Sequence, residues 1–182
     1  MSLLDRNPST ARPAAPYRVC FVCTGNICRS PVAESVLRSR LAQAGLADRV
    51  LVDSAGTGGW HEGNGADPRT VAVLAGAGYA TEHTARRFRP AWFAERDLVL
   101  ALDRGHAREL RRLAPSPADA ARVRLLRSYE PGWADGGSPA GEDADVPDPY
   151  YGGPEGFDEV LEMIESAMPR LLDAITEELT RR

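Results

Sequence analysis

Tyr17-Arg18-Val19-Cys20-Phe21-Val22 is a short run of β-branched and aromatic residues that ends in a glycine-containing turn, which predicts a buried strand. Ser30-Pro31 follows as an N-cap and first helical residue. Val32, Val36, Leu37, Leu41 and Ala44 then recur at helical spacing until Gly45 supplies a stop. The alternation repeats downstream: Val50-Leu51-Val52 reads as a strand, Pro68 to Ala77 as a helix and Leu98 to Leu102 as a strand. Asp103 to Leu113 reads as a helix and Val123 to Leu126 as a strand. From Pro154 to the C-terminus, Phe157, Val160, Leu161, Ile164, Met168, Leu171, Leu172, Ile175 and Leu179 form one apolar stripe, with Pro169 as an expected kink. Strands alternating with helices predict a doubly wound α/β sheet, whose ligands sit at the carboxyl ends of the strands. Residues 1–16, with Pro8, Pro13 and Pro16 and no hydrophobic period, read as a flexible tail, and 17–182 as one domain. The Gly-rich stretch 56–66 and the acidic Gly/Pro stretch 128–147 are long enough to carry function.

Composition narrows the class. Hydrophobic residues make up 43% and charged residues 26% of 182, an ordinary globular balance. A net charge of −4 gives no general pull toward nucleic acid. No run approaches the roughly 18 apolar residues of a membrane span, and no leader-like segment opens the chain, so a cytoplasmic protein is expected. The odd count of three cysteines, all between Cys20 and Cys28, does not describe a disulfide framework. Nor does C-x2-C-x4-C, with His61, His83 and His106 scattered, suit zinc; no metal and no cofactor are expected.

Cys23-Thr24-Gly25-Asn26-Ile27-Cys28-Arg29-Ser30-Pro31 leaves the first strand and opens the first helix. That position presents unpaired N–H groups and a partial positive charge to an anion. The loop lacks the lysine of a nucleotide-triphosphate loop. Cys23 would lie under the ring of donors, where positive potential favours the thiolate. Arg29, six residues on, can return its fork over phosphoryl oxygens, and Ser30 can donate to the sulfur as it leaves. Taken alone, Cys23 could equally be a small buried hydrophobe. Asn26 suits a left-handed turn and a scaffolding role. Trp60, Tyr150 and Tyr151 could wall a cleft one phenyl ring wide, although a tryptophan in a Gly-rich loop can also simply cover core. Structural roles are expected for His83 and His106.

The CTGNICRS stretch resembles the signature of the low-molecular-weight protein tyrosine phosphatases, as do Asp53-Ser54-Ala55-Gly56-Thr57, His83-Thr84-Ala85-Arg86 and Asp148-Pro149-Tyr150. The resemblance implies a four-stranded parallel sheet flanked by helices, with the phosphate loop between first strand and first helix. It implies hydrolysis of phosphotyrosine through a cysteinyl phosphate, with Cys23 as nucleophile, Arg29 as clamp and Asp148 as general acid. Thr24, Gly25, Asn26, Ile27, Cys28, Ser30, Trp60, Tyr150 and Tyr151 would surround the substrate. Asp143 and Asp145 lack the Pro-Tyr context. Phosphotyrosine proteins would be the substrates, and phosphate and vanadate competing ligands. Ala77 stands where some members carry a buried histidine, which weakens the support expected for Asn26. The rival readings are an arsenate reductase using an external thiol, since no cysteine follows Cys28, and a silent phosphotyrosine-binding module. Redox control through a Cys23–Cys28 disulfide is a further expectation.

Overall fold

Strand β1 (Tyr17–Cys23) lies at the centre of the fold, and its side chains alternate between two cores. Tyr17, Val19, Phe21 and Cys23 face one hydrophobic cluster, and Cys20 and Val22 the other. A strand covered on both faces has little use for polar residues, which is why the sequence reads as a nearly continuous apolar run. The computed structural model describes residues 15–132 and 144–182. Most of the proposed tail, part of the acidic stretch, and Asp143 lie outside the described residues.

The sheet is parallel throughout, in the order β2-β1-β3-β4, with β2 at Val50–Gly56, β3 at Leu98–Ala101 and β4 at Val123–Leu125. Helices α1 (Arg29–Gln43) and α5 (Glu155–Arg181) share the first core, where Val36, Leu37, Ile164 and Leu171 are fully buried. Helix α3 (Arg104–Leu113) brings Ala107 and Leu110 to the second, beside the edge-to-face rings of Phe88 and Phe93. Helices α2 (Pro68–Gly76) and α4 (Pro117–Ala121) open on side-chain caps, Asp67 to the Arg69 N–H and Ser116 to the Asp119 N–H. Helix α5 continues through Pro169 without interruption. No helix among the described residues is long and apolar enough to cross a membrane.

Two sequence expectations need correction. Helix α1 begins at Arg29 with Cys28 in the capping position and no side-chain cap. Ser30 does not cap it, because its hydroxyl is engaged with the Cys23 sulfur and the Asn26 amide. Ala77 does not leave Asn26 unsupported: it is an exposed residue at the end of α2, and His83 supports Asn26 instead.

Candidate active site

Between β1 and α1 the chain forms a loop that turns four of its carbonyls away from its centre. Cys23 O accepts from the Thr57 N–H, Thr24 O from Gly58, and Ile27 O from both the Asp67 N–H and the Thr70 hydroxyl. Asn26 O accepts from His83 Nε2 at 2.7 Å. Because a trans peptide sets each carbonyl opposite the following N–H, outward carbonyls at 23, 24, 26 and 27 turn the amides of 24, 25, 27 and 28 inward. The uncapped first turn of α1 adds its own positive end. The result is a nest of donors suited to one tetrahedral anion.

Asn26, the described non-glycine residue with positive φ (57°), is fully buried at the turn of this loop. Its Oδ1 accepts from the Arg86 N–H, and its Nδ2 donates to Ser30 Oγ (2.8 Å) and Ser54 Oγ (2.9 Å). Ser54 in turn donates to the buried Glu34 carboxylate. Ser30, already accepting from Asn26, has its own proton for Cys23 Sγ at 2.9 Å, closer than the alternative acceptor Ala55 O at 3.4 Å. Donation therefore runs outward from the Asn26 amide on two branches, through Ser54 to Glu34 and through Ser30 to Cys23. Burial pushes His83 below the usual histidine range, so it is neutral and donates from Nε2 to the carbonyl.

Above the loop opens a cavity of about 310 Å³ lined by Cys23, Thr24, Gly25, Ile27, Cys28 and Arg29 at its base. Trp60, His61, Asp148, Tyr150 and Tyr151 form its rim. Asn26 and Ser30 are not on this lining; both act from behind the loop. Trp60 is 75% exposed and lies against Gly58, where a Cβ would fall 1.7 Å from its ring, so a larger residue there would displace the ring. Trp60 therefore covers no core. Tyr150 and Tyr151 meet edge to face at 4.9 Å, and Tyr151 is 91% exposed. Arg69 braces this arm: it donates to Tyr150 O and Gly152 O and stacks over Phe157.

Arg29 is buried and held on two sides. Nη1 donates to Asp103 Oδ2 and to Val146 O, each at 3.0 Å. Nη2 donates to Thr24 Oγ1 (3.3 Å) and lies 3.4 Å from Asp148 Oδ2. The Asp148 side chain is 42% exposed at the cavity mouth, and its Oδ1 accepts from the Tyr150 N–H. Asp145, by contrast, faces Arg104 rather than the cavity, in a bidentate pair that keeps its carboxyl below the usual range despite partial burial. A buried thiol, a guanidinium and a carboxylate thus face one cavity over an amide nest. That arrangement binds and can transfer a phosphoryl group.

The model of the family described as low molecular weight phosphotyrosine protein phosphatase matches residues 18–181. The chain belongs to this family. A low molecular weight protein-tyrosine-phosphatase of Streptomyces coelicolor is 63% identical over 166 residues, 91% of this chain and 98% of that one. Among solved structures, a protein tyrosine phosphatase from Entamoeba histolytica, with Hepes in its active site, superposes with a TM-score of 0.80 at 31% identity, covering 89% and 98% of the two chains. A Drosophila arginine phosphatase superposes at 0.75, also at 31% identity, covering 86% and 96%.

The site of this low molecular weight phosphatase also includes residues that sequence reasoning passed over. His61 lines the rim and packs its ring on Gly25; its place next to Trp60 in a glycine-rich loop was the available signal. Asp103, read only as a helix start, reaches Arg29, and His106, expected to be structural, reaches Thr24. Asp103 directly follows a buried strand and opens a helix, the position at which α/β sheets gather ligands, and could have been singled out on that ground. Arg69 and Glu34 also pair locally, with Asp67 and Arg38, but the contacts that tie them to the site, to Tyr150 O and Gly152 O and to Ser54, come from distant segments and leave no local signal.

Proposed function

We propose that this chain hydrolyses phosphotyrosine in proteins, as the names of its relatives describe for them, through a phosphorylated Cys23. The observation that carries the reading is the Cys23 sulfur, buried at the base of the amide nest with Ser30 Oγ at 2.9 Å and Arg29 and Asp148 beside it. In the first step the Cys23 thiolate attacks phosphorus, the P–S bond forms and the P–O bond to tyrosine breaks. Asp148 transfers its proton to the departing phenolic oxygen. In the second, the Asp148 carboxylate takes a proton from water as that water attacks phosphorus. The P–S bond breaks, and the Ser30 hydroxyl stabilises the thiolate that leaves. Arg29 and the inward amides hold the equatorial oxygens through both steps.

Ile27 and the rings of Trp60, Tyr150 and Tyr151 favour an aryl ester, because they offer apolar walls and few acceptors to a guanidinium. Inorganic phosphate and vanadate should compete for the same nest. The proposed compartment is the cytoplasm, where free thiols such as the three cysteines here stay reduced.

The purified protein should hydrolyse a phosphotyrosine peptide in the presence of EDTA, and rapid quenching should yield phosphate on the peptide that contains Cys23. Phosphoarginine and arsenate are the comparison substrates. Activity that survives Cys23→Ser, loss of activity on chelation, or a higher kcat/KM for phosphoarginine would each defeat the proposal. A binding module without turnover would show no hydrolysis at all.

A further inference from the structure

Beside the cavity four side chains close a ring. Arg29 donates from Nη1 to Asp103 Oδ2 at 3.0 Å and from Nη2 to Thr24 Oγ1 at 3.3 Å. His106 Nε2 meets the same threonine oxygen at 2.8 Å. His106 Nδ1 lies 3.1 Å from Asp103 Oδ1, an oxygen that also accepts the His106 backbone N–H at 2.8 Å. The Nδ1–Oδ1 contact is short but poorly directed, and it leaves Nδ1 a buried polar atom without a formed hydrogen bond. His106 as a whole is only 5% exposed.

Proton positions follow from the partners. A carboxylate only accepts, so a lone pair on Nδ1 at 3.1 Å from Asp103 would be repelled, whereas an N–H there is attracted. One proton on Nδ1 leaves Nε2 as an acceptor, and the Thr24 hydroxyl must then donate to it. Thr24 Oγ1 keeps its lone pairs for Arg29 Nη2. Each proton has one direction in this arrangement, and the opposite tautomer would set two acceptors face to face. Burial holds the imidazole neutral, with Arg29 acting in the same sense and Asp103, Asp148 and Asp145 opposing.

We propose that His106 is a positioning residue of this phosphatase: as the neutral Nδ1–H tautomer it turns the Thr24 hydroxyl away from the phosphate, so that Thr24 and Asp103 together fix the plane of the Arg29 fork. The role rests on the phosphatase reading above, but the tautomer does not. Doubly protonated, His106 would offer Thr24 a donor in place of an acceptor and set a cation beside the Arg29 guanidinium. The ring would then lose its direction.

The wild-type tautomer is read by long-range proton–nitrogen NMR of the His106 ring, with or without turnover. A proton on Nδ1 is expected, and one on Nε2 overturns the proposal. In kinetics, His106→Gln, whose amide oxygen can stand where Nε2 stands, should keep kcat within about threefold. His106→Asn, too short to reach Thr24, should lower kcat by about tenfold, the weight of one hydrogen bond, with KM little changed. Thr24→Val should lower it similarly, and adding it to His106→Asn should cost little more, because both cut the same link. Equal activity of the Gln and Asn variants, or fully additive losses, would refute the positioning role. Should the variants fail to fold, the tautomer decides. A wild type without phosphatase activity would defeat the proposed function, while the NMR result would still test the ring.

Discussion

At the residue scale, Asp148 and Cys28 show how much a side chain's surroundings restrict its chemistry. One Asp148 oxygen is tied to the Tyr150 N–H, so Oδ2, at the cavity mouth and 3.4 Å from Arg29 Nη2, is the one placed to deliver a proton. Asp148→Asn should lower kcat by about 10²–10⁴ for alkyl-substituted phenyl phosphates, the usual reach of general acid catalysis, and much less for nitrophenyl phosphate. Equal losses across a leaving-group series would reduce Asp148 to a positioning role. Cys28 is a different case: burial pushes its thiol up to about 12, with Asp67, Cys23 and Asp148 adding to the effect. It is therefore a poor target for peroxide, and any disulfide with Cys23 must form by slow attack of a scarce Cys28 thiolate on an oxidised Cys23. After peroxide treatment the rate of Cys23–Cys28 closure should rise by about tenfold per pH unit across the neutral range. A pH-independent rate, or full thiol-reversible recovery of Cys28→Ser, would exclude that route. The loop from Cys23 to Ser30 was legible in the sequence because its chemistry is local. Asp103 and His61 were only hinted at by position and His106 not at all, because what gives them a role lies 74, about 36 and 82 residues away.

At the element scale, the first turn of α3 is both a helix start and a support for the site. Asp103 caps it, Arg104 ties it to Asp145, and His106 faces the phosphate loop. The imidazole carries a cost in acid, because burial lowers its pKa to about 4 from the ordinary 6.5. An unfolded chain takes up a proton that the folded one resists, so this stabilisation is present above about pH 6.5 and is lost as pH falls toward 4. His83, also pushed down by burial, works in the same direction. The carboxylates of Asp67 and Asp145, held below the usual range, lose their contribution only at still lower pH. Urea unfolding should show a fall of about 2–4 kcal/mol from His106 between pH 7 and 4. His106→Gln should be less sensitive over that interval, and an unchanged slope would mean that His106 is not buried neutral. Strands and long helices were legible as elements, since both sheet faces are covered and the periods are clear. Helix α4 and the 3₁₀ turns at Pro90–Glu95 and Leu126–Tyr129 are too short for a period to register. The misread start of α1 came from assigning Ser30 to the backbone when its hydroxyl serves a sulfur.

For the whole molecule, the parallel sheet with β1 at its centre has a consequence for how the chain becomes active. Asn26 is fixed by Ser54 and by the backbone of Arg86, and Arg29 by Asp103 and by Val146, 117 residues further along. Parallel neighbours cannot form as hairpins, so each of these closures waits for a crossover to be completed. The nest should therefore lack function in a chain that has not completed these crossovers, however much helix that chain contains. In refolding from urea, far-ultraviolet dichroism should recover ahead of turnover, and the last kinetic phase should restore hydrolysis in one step with the docking of the segment around Val146. A truncated or nascent chain ending before that segment should possess Cys23, Ser30 and Arg29 and yet leave phosphotyrosine untouched: the order of synthesis keeps the thiolate harmless until the last of its supports has been made.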